Sequence, residues 1–218
     1  MNGRLPSRLL IVTDRHQATA PLPDTVAEAV RAGANWIWLR DRDLPLGERR
    51  ALAVALTAIT RSVRARLTIG GDVELAAAVG ADGVHLAAAA APGAIAAARM
   101  RLGADAIIGV SAHGDADVAA AQAAGADYAT LSPIFATASK PDYGPELGLA
   151  ALTRAARHGL PLLALGGITR QRAQECIAAG AAGIAVMGEI MRAAGPSSRV
   201  HDIVAGFLTA LCVPANRR

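Results

Sequence analysis

The 218-residue sequence predicts a single (β/α)8 TIM barrel of below-average size, and three observations carry that reading. On a prior of roughly 150 residues per domain, the length fits one large domain, and no low-complexity linker divides the chain. Eight short β-branched or Leu-rich runs alternate with Ala-rich segments of helical length, the pattern of parallel strands joined by helices. A tripeptide of the form Ala/Val-Gly-Ala recurs at 32–34, 79–81, 124–126 and 179–181, each time just before a strand. Its glycines, Gly33, Gly80, Gly125 and Gly180, suit helix C-caps, where a left-handed conformation is needed. They recur after 47, 45 and 55 residues, about two βα units apart. An open doubly wound sheet is the alternative architecture.

The elements follow in order. The first strand is expected over 9–13, ending at Asp14; it is too short and too early broken for the core of a signal peptide. An amphipathic helix over 24–31 leads to a second strand over 36–40, and a longer helix over 46–63 leads to a third over 67–69. Strands four and five are expected over 83–86 and 106–110. A helix over 118–124 precedes strand six at 128–132. Strand seven at 161–165, a helix over 170–178 and strand eight at 183–187 complete the series.

Composition narrows the function classes. Hydrophobic residues are 53% and charged residues 18%, so the chain can bury a core and does not read as disordered. There are 53 Ala and six aromatic residues, which predicts a core of finely packed small side chains. No window approaches ~18 strongly apolar residues, so a membrane partner is not expected and a cytoplasmic location is. Cys176 and Cys212 lack metal spacing and are expected as buried core thiols. The net charge of +4 comes from 21 Arg scattered along helices and one Lys, Lys140, which argues against a nucleic-acid partner.

In a barrel, chemistry sits on the loops after the strands' C-terminal ends. After strand seven, Gly166 and Gly167 can bring backbone N–H groups onto a phosphate at a helix N-terminus, with Met187 and Gly188 completing a cup after strand eight. The alternative is a plain tight turn. After strand six a long loop offers Thr137, Ser139 and Lys140, hydroxyls and a compact cation for phosphate oxygens, or else a solvated loop. After strand two, Arg40 and Arg42 alternate onto the same side and could grip a dianion, or else form surface ion pairs with Asp41 and Asp43. Ser111 and His113 end strand five. Of the five histidines, His113 alone stands on a catalytic-face loop, where an imidazole could move a proton; His85 reads as a hydrogen-bonded residue inside strand four.

These residues resemble the thiamine phosphate synthase/TenI family, over about residues 8–211. The resemblance rests on eight short motifs in register. They include Val12-Thr13-Asp14, Leu39-Arg40-Asp41-Arg42, Gly83-Val84-His85-Leu86, Val110-Ser111-Ala112-His113, Ser132-Pro133-Ile134-Phe135 and Gly166-Gly167-Ile168. It implies the barrel fold and a small phosphorylated thiazole or thiamine precursor as ligand, with a homo-oligomer possible. In the synthase, hydroxymethylpyrimidine diphosphate loses pyrophosphate with Mg²⁺ assistance and is joined to a thiazole phosphate. The resemblance assigns Arg40, Arg42, Ser111 and Lys140 to the diphosphate. It assigns Thr137, Ser139, Gly167, Met187 and Gly188 to the thiazole phosphate.

The chain departs from the synthase pattern at three places. Gly70-Gly71-Asp72 stands where Asn-Asp-Arg is usual, Ala87 to Ala90 stand where Gly-Gln-x-Asp is usual, and Trp38 replaces a Gln. Only Asp72, shifted by one position, is left as a metal ligand, and Mg²⁺ ordinarily takes one or two carboxylates. The first expectation is therefore a TenI-like thiazole phosphate tautomerase, with His113 as acid/base and no metal or other cofactor. The alternatives are a synthase using Mg²⁺ and Asp72, and a non-catalytic binder of thiamine precursors.

Overall fold

A computed structural model describes residues 5–88, 90, 93–137, 145–195 and 198–212. Eight parallel strands close into a barrel in sequence order, β1 (Leu9–Val12), β2 (Trp36–Leu39), β3 (Arg66–Gly70), β4 (Gly83–Leu86), β5 (Ile107–Ala112), β6 (Tyr128–Leu131), β7 (Leu162–Leu165) and β8 (Gly183–Val186). The circle is completed by β8 against β1, with Leu9 opposite Ile184 and Ile11 opposite Val186. All eight expected strands are present, with ends moved by at most two residues.

The helices alternate with the strands: α1 (Leu22–Arg31), α2 (Leu46–Ser62), α3 (Val73–Val79), α4 (Ala94–Leu102), α5 (Asp115–Ala123), α6 (Gly148–Ala155), α7 (Arg170–Ala178), α8 (Gly188–Met191) and α9 (Val200–Cys212). The four repeat glycines all have positive φ, from 63° at Gly80 to 102° at Gly180, as helix ends of this kind require. Among the described residues, no helix is long and apolar enough to cross a membrane.

Side chains alternate along each strand, so the barrel has two cores. Leu9, Ile11, Ile37, Leu39, Leu67, Ile69, Val84 and Ile108 face outward, where Ala-rich helix faces cover them. There the expectation of small-residue packing holds, because Ala29, Ala53, Ala76, Ala98, Ala155 and Ala173 let the helices lie close to the sheet. Inside the barrel the packing is different. Trp36, Trp38 and Tyr128 fill the lumen with Leu10, Val12, Leu163 and Ala185. Trp36 and Tyr128 meet edge to face at 4.7 Å. Gly109 on β5 makes the room: a Cβ there would lie 2.1 Å from Cζ of Tyr128. Half of the six aromatic residues thus occupy a volume that four-residue strands of small side chains could not fill.

One cysteine expectation fails. Cys176 is buried and burial pushes its thiol up to about 12, so it is an inert core group. Cys212 is exposed, since it follows the last buried residue of α9, Leu211.

Candidate active site at the barrel mouth

The strands' C-terminal ends surround a cavity of about 1080 Å³. Arg40, Arg42, Ser111, His113, Thr137, Gly166, Gly167, Met187 and Gly188 all line it, so nine of the residues singled out from the sequence meet in one place. Ser139 and Lys140 lie outside the described residues. Asp72 does not line the cavity.

The β7 and β8 ends are built from main chain. Gly166 and Gly167 have φ of 98° and 64°, and a Cβ at Gly167 would come within 2.5 Å of the Ala136 carbonyl. This close approach seats the β7–α7 turn against the β6 loop. Among the described residues, no backbone carbonyl accepts from the N–H groups of Gly167, Ile168, Gly188 or Glu189. Thr169 caps α7 by accepting from Arg172 N at 3.3 Å. Two cations that the sequence reading passed over lie against these glycines. Arg172 donates to Gly167 O at 2.8 Å and sits 4.5 Å from the Phe135 ring centre. Arg192 donates to Gln17 Oε1 and lies over Gly188. Glu189 beside them is raised above the usual carboxylate range by burial, against the lowering influence of Arg170 and Arg192.

His113 follows directly on β5. Its ring Nδ1 lies 2.9 Å from Ser132 O, and its backbone N–H donates to Asp117 Oδ2 at 2.7 Å. A carbonyl oxygen only accepts, so the ring nitrogen facing Ser132, Nδ1, carries a proton. Below it, His85 is fully buried, as a barrel residue should be. Its Nδ1 pairs with Tyr128 Oη at 2.8 Å and its Nε2 with Ser111 Oγ at 3.1 Å and Thr130 Oγ1 at 3.3 Å. Burial, and secondarily the charge of Arg42, depress His85 to about 3, so it is a neutral structural group that fixes Ser111.

At the β1 and β2 ends, neither arginine makes the surface ion pair with Asp41 or Asp43 that was the alternative. Arg40 faces Asp14 Oδ2 at 3.4 Å and Met187 Sδ at 3.7 Å. Arg42 reaches toward His85 O at 3.5 Å. Its pKa is lowered by partial burial and then by the charges of Arg49 and Arg40. Asp41 instead accepts from Thr13 Oγ1 at 2.6 Å and from Arg15 N at 2.7 Å. Asp43 is held well below the usual carboxylate range by Arg15 and then His16. Asp14 accepts from His16 N at 3.0 Å and Gln17 Nε2 at 2.8 Å.

Both carboxylate oxygens of Asp72, the residue expected to hold a metal only in a synthase, already have partners. Its Oδ1 caps α3 by accepting from Leu75 N at 2.8 Å, and its Oδ2 accepts from Arg49 Nη1 at 3.1 Å. Arg49 is buried, and its Nη2 donates to Gly70 O at 2.6 Å. An Asp directly before a helix is the ordinary signature of a cap, and that signal was present in the sequence. Among the described residues, no group of three His, Cys, Asp or Glu side chains is arranged to hold a metal ion. With both Asp72 oxygens engaged by Leu75 N and Arg49, and with Arg42 over Gly71, the donor set at the end of β3 does not fit Mg²⁺.

Comparison with known proteins places this architecture. The family model described as thiamine monophosphate synthase matches residues 9–190. A thiamine-phosphate synthase of Roseiflexus sp. (strain RS-1) is 37% identical over 203 residues, 92% of this chain and 85% of the relative. One from Methanoculleus marisnigri is 41% identical over 185 residues, 84% of this chain and 87% of the relative. Among solved structures, a thiamine phosphate pyrophosphorylase from Pyrococcus furiosus superposes with a TM-score of 0.81 at 28% identity, covering 95% of this chain and 98% of that one. Matched along the whole barrel from β1 to α8, with its distinctive loops gathered at one mouth, the chain belongs to the thiamine monophosphate synthase family.

Proposed function

We propose that the chain is an enzyme of thiamine biosynthesis that holds a thiazole phosphate in this mouth and joins it to hydroxymethylpyrimidine diphosphate. The observation that carries this reading is the 37% and 41% identity, over most of both chains, to relatives named thiamine-phosphate synthase. Those names favour the joining reaction over the tautomerase that the lost carboxylates lead one to expect, and they speak against a purely binding protein. In the joining reaction the C–O bond to the diphosphate breaks and its electron pair leaves with pyrophosphate. The lone pair of the thiazole nitrogen then forms the new C–N bond to the pyrimidine methylene. Arg40 and Arg42 hold the diphosphate and meet its developing charge, helped by Ser111. The N–H groups of Gly167 and Gly188 hold the thiazole phosphate, close to Thr137. Ser139 and Lys140 are assigned by resemblance alone. With Asp72 engaged by Leu75 N and Arg49, the charge of the diphosphate falls to the arginines.

The second reading, a thiazole phosphate tautomerase, is favoured by one specific arrangement. His113 stands at the cavity with its tautomer set by Ser132 O, which is what moving a proton on an anchored ring needs. Two assays on the purified protein separate the readings. Thiamine phosphate and pyrophosphate formed from the two precursors support joining; interconversion of carboxythiazole phosphate isomers, followed by NMR, supports the tautomerase. In the tautomerase, His113→Ala lowers the rate by about 10²–10⁴. In the joining enzyme the same change costs much less, since no proton moves in C–N bond formation. An absence of product from the two precursors would remove the first reading.

A further inference from the structure

The end of β3 carries guanidinium groups where a divalent cation would need carboxylates. At Gly71, with φ of 69°, a Cβ would lie 3.0 Å from Cζ of Arg42 and 3.2 Å from its Nη2. The Arg42 side chain therefore occupies the space that any side chain at position 71 would take. One residue earlier, a Cβ at Gly70 would lie 3.0 Å from both the Leu39 carbonyl oxygen and Nε1 of Trp38, so main chain and indole together fill the neighbouring space. That Nε1 is buried, and it has no hydrogen-bond partner among the described residues. The third residue, Asp72, is committed to Leu75 N and Arg49. Two side chains from the end of β2 have thus grown into the gap left by two glycines at the end of β3.

The electrostatics agree with the packing. Arg40, Arg42 and Arg49 are close enough that the charges of the other two lower the pKa of Arg42. Like charges repel more strongly the closer they lie, and a divalent cation beside this cluster meets twice the repulsion of a monovalent one. The same field attracts a polyanion. The carboxylates on this side of the mouth are engaged by their own neighbours, Asp14 by Gln17 and Arg40, Asp41 by Thr13 and Arg15, and Asp43 by Arg15 and His16.

We propose that Arg42, laid over the bare backbone of Gly71 and flanked by Arg40, is the resident positive charge of a metal-independent diphosphate subsite. This deepens the joining reading, in which the pocket takes a diphosphate. Arginine suits the part because its planar fork matches two phosphate oxygens and its charge does not titrate in the working range.

Inorganic pyrophosphate, titrated calorimetrically into the full-length protein in EDTA and again with excess MgCl₂, tests the proposal. The expected result is binding in EDTA, with affinity changed by no more than about threefold on adding Mg²⁺, well under the tenfold that 1.4 kcal/mol would produce. Arg42→Ala is expected to weaken binding about 10- to 100-fold, as loss of a charged hydrogen-bond donor does. Gly71→Ala, which pushes the guanidinium from its place, weakens it in the same direction. Unfolding temperatures of both variants separate a lost anion contact from a lost fold. No binding in EDTA, binding that needs Mg²⁺, or affinity indifferent to Arg42→Ala in a folded variant each overturns the proposal. Pyrophosphate binding with those properties but no thiamine phosphate from the precursors leaves the subsite standing and removes the joining reaction instead.

Discussion

Across the barrel mouth, the arc formed by the ends of β7 and β8 presents glycine main chain to the cavity, whereas on the arc formed by the ends of β2 and β3 the long side chains of Trp38 and Arg42 cover the glycines. On the first arc, glycine turns at 166–167 and 188 turn N–H groups away from any described backbone carbonyl, and Arg172 and Arg192, which also line the cavity, lie against them. On the second, Trp38 and Arg42 lie over Gly70 and Gly71, and Arg49 ties Asp72 down. A binding surface made of backbone is protected by the fold, because altering it means altering the turn. A surface made of side chains can be exchanged one residue at a time, and here Trp38 and Arg42 occupy space that side chains at positions 70 and 71 would need.

That contrast can be broken or sharpened by experiment, starting with the group beneath both arcs. His85 is depressed from 6.5 to about 3, so the folded state binds its proton less readily than the unfolded chain. Its contribution to stability is complete above pH 6.5 and is lost as the pH falls toward 3, by up to about 5 kcal/mol. Denaturant unfolding across that window checks it. His85→Gln, which does not titrate, should flatten the fall while lowering stability at neutral pH; an equally steep fall in the variant would dismiss the assignment.

Next in size is the main-chain arc. Gly167→Ala puts a Cβ against the Ala136 carbonyl and Phe135, in a backbone conformation that Ala resists. A cost of about 2–4 kcal/mol is expected, with loss of phosphate affinity, read by thermal unfolding and ligand titration. On the side-chain arc, Asp72→Ala removes a helix cap and the partner of a buried arginine. It should cost about 2 kcal/mol and leave the response of activity to Mg²⁺ unchanged. A metal ligand would behave in the opposite way, with stability kept and metal response lost. Smallest is Gly71→Ala, about 1 kcal/mol from its positive φ, since the clashing group is the movable end of Arg42.

The fold was legible because its signals are local. Alternating runs mark strands, and the glycine of each Ala/Val-Gly-Ala repeat marks a helix end; neither depends on what lies across the barrel. The backbone arc was legible for the same reason, as Gly166 and Gly167 carry their geometry in the sequence. The other arc was legible only in part. Arg40 and Arg42 could be placed at the mouth by strand alternation, but Arg42 folding onto Gly71 is a contact between two strand ends 29 positions apart. The cap made by Asp72 was legible from its position directly before α3, but its pairing with Arg49 joins residues 23 positions apart. Arg172 and Arg192 escaped notice because their roles depend on reaching back from a helix over the preceding glycine loop.

The contacts that order the mouth also run across the barrel's closing seam. Arg192 beyond β8 donates to Gln17 beyond β1, Gln17 to Asp14, and Asp14 faces Arg40 beyond β2. The first of these contacts spans 175 positions of chain. A nascent or partly folded chain cannot form it until the last strand has docked on the first, so the mouth is among the last parts of the molecule to be completed. An anion that binds only the closed barrel then stabilises that closure by mass action, so its presence during refolding should favour barrels closed at the β8–β1 seam.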